Sequence, residues 1–306
     1  MSQQYSTGDI VDRFRQVLSD AGLPAAPETN FICDGELHRF RVESDKKGSR
    51  NGWYVLHLDG VPAGAFGSWR AGIAESWCSK GQDQLTEAER RQLRERMEKA
   101  KTARQSQLKQ RHANAAHRAR KLWKSAKPAA PDHPYLVKKQ VQPFRARQIG
   151  PALVLDIRDI YGGLSSLQFI QPDGTKKLLS GGAKQERFIP VTGASGREPE
   201  TVLVCEGWAT GATLAASMPD ALVLAAIDAG NLPAVAVATR QRWPACDLIV
   251  CGDDDRKTEG NPGAAAASKA AELSAARVAL PEWPEGCPVH LSDFNDLATW
   301  LNEVKQ

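Results

Sequence analysis

Two short apolar runs in the last third of the chain each end at acidic residues. Residues 202–205 (VLVC) lie directly before Glu206, and residues 248–251 (LIVC) are followed, after one glycine, by the aspartates 253–255. Both runs are too short for core helices and are rich in β-branched residues, so they predict buried strands. In an open α/β sheet, ligands bind beyond the carboxyl ends of the strands. We therefore expect the glutamate and the aspartates to meet at one edge of a sheet.

The segments around these strands extend the same pattern. Two glycines flank the turn into an alanine-rich helix near residues 212–217, and residues 260–273 form a loop that opens another helix. Residues 221–226 predict one more strand, with Asp228 and Asn231 at its tip. Because helix N-termini favour phosphate groups, the pattern predicts an α/β domain whose edge binds phosphates.

Residues 1–80 have the pattern of a small separate domain. Residues 7–21 place apolar side chains at helical spacing, and short alternating segments follow, separated by Asp-Gly and Asn-Gly turn signals. This predicts a small antiparallel β domain. Its aromatic residues, such as Trp53, Tyr54 and Phe66, stand beside basic residues, an arrangement that suits zinc-free binding of a single-stranded template. The alternative is that most of these aromatic side chains form the core of the domain.

The central part of the chain is strongly basic. Residues 81–130 predict a charged helical linker with few apolar positions, ended by prolines. A solvated linker and a non-specific contact with nucleic acid both fit its charge. Residues 131–199 predict a basic β subdomain, with strands joined by Gly-Gly and Asp-Gly turns. Residues 200–306 complete the chain as an α/β domain with a mainly parallel sheet, so the fold class is α+β together with α/β.

Composition narrows the class of protein. A chain of 306 residues allows about two domains, and its 42% apolar and 25% charged residues are typical of a globular protein. No apolar run is long enough to span a membrane and no signal peptide is recognisable, so we expect a cytoplasmic protein with no membrane partner. The six cysteines are scattered, which indicates no disulfide framework. Cys33, His38, His57 and Cys78 have no zinc-finger spacing, so we expect no zinc.

The clustered carboxylates indicate a divalent cation. Carboxylates brought close together repel one another unless a cation lies between them. Hard oxygen ligands suit Mg²⁺, which shares its coordination shell with phosphates. The candidate ligands are Glu206, Asp253, Asp254 and Asp255. The alternative for any one of them is an ordinary capping residue of a βα loop, but the ordered set favours a metal site.

Four motifs in this region occur in the order of a known family. They are EGWATGAT (206–213), DAGNL (228–232), GDDDR with GNPG (252–263) and DFNDL (293–297). The series resembles the Toprim domain of plasmid-transfer and phage primases, which has one Glu after a first strand and an Asp-x-Asp after a later one. Glu206, Asp253 and Asp255 match those positions, with Asp254 at the variable position. The resemblance covers roughly residues 201–301.

This resemblance implies a DNA primase that makes short RNA primers on single-stranded DNA for a plasmid or a phage. It implies Glu206, Asp253 and Asp255 as catalytic residues. The implied cofactor is Mg²⁺ or Mn²⁺, held by these three residues and Asp254. The implied partners are a single-stranded DNA template and ribonucleoside triphosphates. A replicative helicase would be a separate polypeptide, since the sequence has no GxxxxGK[ST] loop.

The family also has a basic segment with the pattern Lys-x-Leu-x-Ser ahead of the Toprim domain, which Lys176, Leu178 and Ser180 match. We therefore expect Lys176 to contact a triphosphate or the template. The full set of candidates for nucleotide or template binding is Lys176, Lys177, Lys184, Arg158, Asn231 and Asn261. Candidates for an outer shell of the metal are Asp228 and Asp293. Asp296 is expected to cap the last helix, and for Asp293 both roles stay open.

Two other functions fit parts of the pattern. A metal-dependent Toprim nuclease would use the same carboxylates, but the basic unit ahead of them favours polymerisation. A non-catalytic module that binds single-stranded DNA is disfavoured, because Glu206, Asp253 and Asp255 are all present. A topoisomerase would need a nucleophilic tyrosine, and none of the four tyrosines lies in a recognisable cleavage motif.

Overall fold

The computed structural model describes residues 6–68, 70–81, 85–193 and 198–304. The chain divides into two compact units, residues 1–105 and 106–306. The boundary lies within a long helix, α2 (Glu87–Ser125), which begins in the first unit and ends in the second. The finer division at residues 80, 130 and 199 stays a prediction.

The first unit packs one helix on an antiparallel sheet, as the turn signals predict. Its elements are α1 (Thr7–Asp20), β1 (His38–Phe40), β2 (Gly52–His57), β3 (Ala63–Ser68) and β4 (Ile73–Cys78), with the strands in the order β1-β2-β3-β4. The side chains of Tyr54 and Phe66 are only 2% and 1% exposed and pack around Phe14 of the helix. These two aromatic rings therefore form the core, whereas Trp53 is half-buried. Template binding by this unit stays a prediction.

The second unit begins with an antiparallel sheet, which we call the basic sheet. It contains β5 (Lys127–Pro128), β6 (Arg147–Ile149), β7 (Ala152–Arg158), β8 (Leu164–Ile170) and β9 (Lys176–Leu178), and α3 (Pro134–Lys139) lies between the first two strands in sequence. The end of α2 packs on one face of this sheet, where Ala119 is fully buried with Val154 and Leu167. This part of α2 therefore has one buried face, which its high charge does not indicate.

The other sheet of this unit is mixed, and we call it the acidic-edge sheet. Its strands are β10 (Ile189–Pro190), β11 (Thr201–Cys205), β12 (Leu222–Ala225), β13 (Asp247–Cys251) and β14 (Arg277–Ala279), and its helices are α4 (Trp208–Ser217), α5 (Leu232–Arg242), α6 (Pro262–Ser274) and α7 (Phe294–Val304). The order is β10-β12-β11-β13-β14, with β10 antiparallel and the other four strands parallel. The sequence predicts a mainly parallel sheet in this part of the chain.

The two sheets of the second unit share one hydrophobic core. Leu155 and Ile170 of the basic sheet pack in the same buried cluster as Leu203 and Val223 of the acidic-edge sheet, together with Trp208, which is 1% exposed. A second cluster covers the opposite face of the acidic-edge sheet under α5 and α6. The shared core fixes the basic sheet beside the sheet that carries the acidic residues.

Within the described ranges, no helix is both long enough and apolar enough to cross a membrane.

Candidate active site

Strand register brings the acidic residues to one edge. β11 and β13 are paired in parallel, and their last residues, Cys205 and Cys251, are direct partners. Glu206 follows the first strand at once, and Asp253 follows the second after one residue. Because parallel strands end at the same edge, both carboxylates leave the sheet side by side, as the sequence predicts.

Asp253 has the most perturbed carboxyl group of the site. Burial, and after it the negative charges of Glu206, Asp293, Asp255 and Asp296, together raise its pKa to about 8. Its Oδ1 atom is buried and has no hydrogen-bond partner. A buried, unpartnered carboxylate oxygen beside other carboxylates is unfavourable in the absence of a cation.

Glu206 lies within the same electrostatic cluster. Burial raises its pKa, and the charges of Asp255 and Asp228 act in the same direction. The ammonium of Lys176, from the basic sheet, opposes this shift by lowering the pKa. Lys176 is thus close enough to influence the catalytic candidate, across the junction between the two sheets.

The donor set suits a hard divalent cation, because it consists of carboxylate oxygens and includes one oxygen without a partner. Among the described residues, no group of three or more His, Cys, Asp or Glu side chains is already arranged to hold a metal ion. Uncompensated carboxylates repel one another, so a cation would have to draw them together. The residues that fit this role are Glu206, Asp253 and Asp255.

Asp255 is held by the start of α6. Its Oδ2 atom accepts a hydrogen bond from the Gly263 amide at 2.9 Å, and its own amide donates to Asn261 Oδ1 at 2.8 Å. A Cβ atom on Gly263 would lie 2.6 Å from the Asp253 carbonyl oxygen. The glycine therefore permits the close approach of the helix to the aspartate loop. Asn261, expected to bind a nucleotide, instead caps α6 and orders this loop.

Asp254, predicted as a metal ligand, faces away from the cluster. Its two carboxylate oxygens accept hydrogen bonds from Asn261 Nδ2 at 2.6 Å and from Trp283 Nε1 at 2.7 Å. Its carboxylate is already bound to protein, so the metal role does not fit this residue.

Asp293 both caps a helix and adds charge to the site. Its carboxylate accepts from the Asp296 amide at 2.7 Å, at the start of α7, and from Thr210 Oγ1 at 3.2 Å. Burial raises the pKa of Asp293, and the negative charge of Asp296 raises it as well. Asp296, expected to be the cap, instead accepts from the Ser292 amide and from Lys139 Nζ. Thr210 is a contact that the sequence did not indicate.

The basic sheet separates the two candidate lysines of β9. Lys176 pairs with Ile170, whose side chain lies in the core shared with the acidic-edge sheet, whereas Lys177 pairs with Phe169, which packs on the α2 side. Directly opposed residues of antiparallel strands share a face. Lys176 therefore lies on the face toward the acidic edge, and Lys177 lies on the opposite face.

Two other basic candidates are engaged with acidic residues. Lys184 Nζ lies 2.6 Å from Asp228 Oδ2, in a half-exposed ion pair at the edge. Arg158 and Arg145 both pair with Asp156, which is 1% exposed, so Arg158 neutralises a buried charge within the basic sheet. Phosphate binding by Arg158 would compete with this buried pair.

Asn231, a candidate for nucleotide binding, is 1% exposed and fully bonded to the backbone. Its Nδ2 atom donates to the carbonyl oxygens of Lys184, Arg187 and Ala226, and its Oδ1 atom accepts from the Glu186 amide. No polar atom is left at the surface for a nucleotide. The residue instead fixes the segment that carries Lys184 to the end of β12.

Comparison with known proteins agrees with this geometry. Residues 201–300 match the family model of the Toprim domain, so this part of the chain is a Toprim domain. The chain is also similar to two Escherichia coli proteins named DNA primase TraC. It is 34% identical to one over 284 residues and 35% identical to the other over 282 residues, which covers 90% and 88% of this chain. The resemblance to Toprim primases of mobile elements is thereby confirmed.

The match covers a limited part of those relatives. The chain spans 27% of the length of one TraC protein and 19% of the other. Among solved structures, the primase fragment of the bacteriophage T7 primase-helicase is 16% identical, with a TM-score of 0.38 over 56% of this chain and 66% of that chain. A similarity of this size supports no conclusion about the present chain.

The raised pKa of Asp253 predicts a pH-dependent stability. The folded protein holds this proton up to about pH 8, whereas the unfolded chain releases it near pH 3.8, so stability is lost as the pH rises between these values. Without divalent metal, Asp253→Asn should become more stable than wild type over that range. We expect the free energy of unfolding to be about 2 kcal/mol higher than that of the wild type at pH 9. A difference in pKa corresponds to about 1.4 kcal/mol for each pH unit, and the expected gain is smaller than this conversion gives because side chains relax around a buried charge.

Urea unfolding in EDTA from pH 4 to pH 9 measures this difference. The exposed Asp220→Asn is the matched control, and its stability relative to wild type should not change with pH. A pH-independent difference for Asp253→Asn would show that the Asp253 carboxyl is not perturbed by its surroundings.

Asn231→Ala should free the segment of residues 184–187. The variant leaves the carbonyl groups of Arg187 and Ala226 without this donor and the Glu186 amide without its acceptor. We expect a cost of about 2–3 kcal/mol and faster hydrogen exchange in that segment. Asn302→Ala, which removes an exposed amide bonded to Gln140, is the control and should change stability by less than about 0.5 kcal/mol. Unchanged exchange at residues 184–187 would contradict the positioning role.

Proposed function

We propose that this chain has DNA primase activity, synthesising short RNA primers on single-stranded DNA in the cytoplasm for the replication of a plasmid or a phage. One observation carries the proposal: the carboxylates of Glu206, Asp253 and Asp255 gather at the edge of a Toprim domain, and Lys176 faces them from the basic sheet. The similarity to the TraC primases over nine-tenths of the chain supports it.

The charge distribution of the second unit suits a polymerase for nucleic acid. Residues 106–190 contain sixteen basic and five acidic residues, whereas residues 198–304 contain six basic and sixteen acidic residues. The basic part attracts the phosphates of a template and a triphosphate. The acidic part repels them unless cations are bound, so the reacting phosphates are drawn to the boundary between the two parts, where Lys176 and Glu206 lie.

Mg²⁺ or Mn²⁺ would be held by Glu206, Asp253 and Asp255. A cation bound there would lower the pKa of the primer's 3′-hydroxyl and neutralise charge on the pyrophosphate leaving group. The unpartnered Oδ1 atom of Asp253 is the oxygen best placed to accept such a ligand, because it has no competing hydrogen bond.

The chain's own residues would position the reactants. The 3′-hydroxyl oxygen attacks the α-phosphorus of a ribonucleoside triphosphate, and the bond to pyrophosphate breaks. Glu206, whose pKa is raised, is suited to accept the proton of the attacking hydroxyl. Lys176 would neutralise triphosphate charge. The first amides of α4 could bind a phosphate, because its N-cap is Gly207, which has no capping side chain.

The test is primer synthesis from labelled ribonucleotides on varied single-stranded DNA templates with Mg²⁺. We expect oligoribonucleotides from the wild type and less than about 1% of that product from Asp253→Ala. Degradation of the template without product would instead indicate the nuclease. Tight template binding with neither reaction would indicate a binding module and would contradict the proposed activity.

The two lysines of β9 provide a matched pair of variants. Lys176→Ala removes a positive charge facing Glu206 and should lower kcat/KM for ribonucleotides by about tenfold, the effect of losing one charged contact with phosphate. Lys177→Ala removes the same charge from the opposite face of the strand and should change kcat/KM by less than about twofold. Equal losses in both variants would contradict the assignment of Lys176 to the site.

A further inference from the structure

We propose that Trp283 is a positioning residue that acts through Asp254 to hold Asp253 and Asp255 at the acidic edge. The inference rests on the proposed metal-dependent function, because it concerns the loop that would bind the cation. It also gives the middle aspartate of the Asp-Asp-Asp run a role that no motif assigns.

The side chains from Asp253 to Arg256 divide between two sides of the loop. Asp253 and Asp255 belong to the electrostatic cluster with Glu206. Asp254 and Arg256 turn the other way, toward the segment of residues 283–292. The loop therefore has one face for the site and one face for attachment to the rest of the unit.

Trp283 is held on both its edge and its face. Its Nε1 atom donates to Asp254 Oδ2 at 2.7 Å, and the guanidinium of Arg256 lies over its ring at 4.1 Å. Arg256 in turn donates through Nη2 to the carbonyl oxygens of Pro288 and Leu291, at 2.9 Å and 3.3 Å. A charged acceptor and a cation–π contact together fix the orientation of the indole.

Two further bonds complete the attachment, which we call the Trp283 clasp. The Asp254 amide donates to the Ser292 carbonyl at 2.6 Å, and Asn261 Nδ2 donates to Asp254 Oδ1 at 2.6 Å. Ser292 directly precedes Asp293, whose charge raises the pKa of Asp253. The clasp thus ties the aspartate loop to the residue that supplies another charge of the cluster.

This attachment is needed because the cluster repels itself. Asp253 is half-buried among like charges, so the loop would move outward toward water if nothing held its other face. The clasp opposes that movement with bonds to the segment of residues 283–292 and to Asn261. Residues that orient metal ligands through hydrogen bonds typically change metal affinity by about 10–100-fold when they are replaced.

Trp283→Phe tests the inference because it keeps an aromatic ring under Arg256 and removes the Nε1 donor. We expect amide exchange at residues 253–256 of the metal-free protein to accelerate by about tenfold, while α6 keeps its protection. We also expect the dissociation constant for Mn²⁺, measured by calorimetry, to rise by about tenfold. Trp243→Phe is the control and should change neither quantity. Its ring lies under the guanidinium of Arg242, the last residue of α5, at 5.6 Å.

Asp254→Asn is a second test of the same contact, because it removes the negative charge of the side chain and one of its two acceptor oxygens. It should raise the dissociation constant for Mn²⁺ without abolishing binding, whereas Asp253→Asn should abolish it. Wild-type exchange and Mn²⁺ affinity in Trp283→Phe, or an equal change in Trp243→Phe, would overturn the inference. The exchange measurement needs neither metal nor nucleotide, so it can fail or succeed independently of primer synthesis.

Discussion

Mutual repulsion between half-buried carboxylates is the constraint on which the rest of the site depends. Asp253 is half-buried beside four acidic groups, and one of its oxygens is buried and lacks a partner. Such an arrangement is unfavourable unless the surroundings impose it. Parallel strand register delivers Glu206 and Asp253 to one edge, and the absence of a side chain at Gly263 lets α6 reach the loop. The fold thus holds the carboxylates close together, and a bound cation would reduce the repulsion between them.

The shared core of the second unit supplies the opposite charge. Ile170 packs against the acidic-edge sheet, and its cross-strand partner Lys176 consequently lies on the same side, near Glu206. On the same edge, Asn231 ties the segment of Lys184 to the end of β12. Basic and acidic parts that are separate in sequence are therefore held together by apolar packing and by one buried amide rather than by ion pairs alone.

The sequence predicted the strands that end at the acidic edge and the grouping of Glu206 with the aspartates, because these follow from short local patterns. It could not predict the roles of Asp254 and Asn231. Both depend on partners far away in the chain: Trp283 lies 29 residues after the first, and Lys184 lies 47 residues before the second. A lone tryptophan in a proline-rich segment carries no local signal for such a contact. The many charged residues of α2 likewise gave no indication that the end of this helix has a buried face.

The central claim is that these carboxylates form one cation site with Asp253 as its essential member. The most direct measurement is the unfolding temperature with and without saturating Mg²⁺, for the wild type and Asp253→Ala. Because a ligand stabilises the state that binds it, Mg²⁺ should raise the unfolding temperature of the wild type by about 3 °C or more and leave the variant unchanged. No shift in the wild type, or an equal shift in both proteins, would contradict the account.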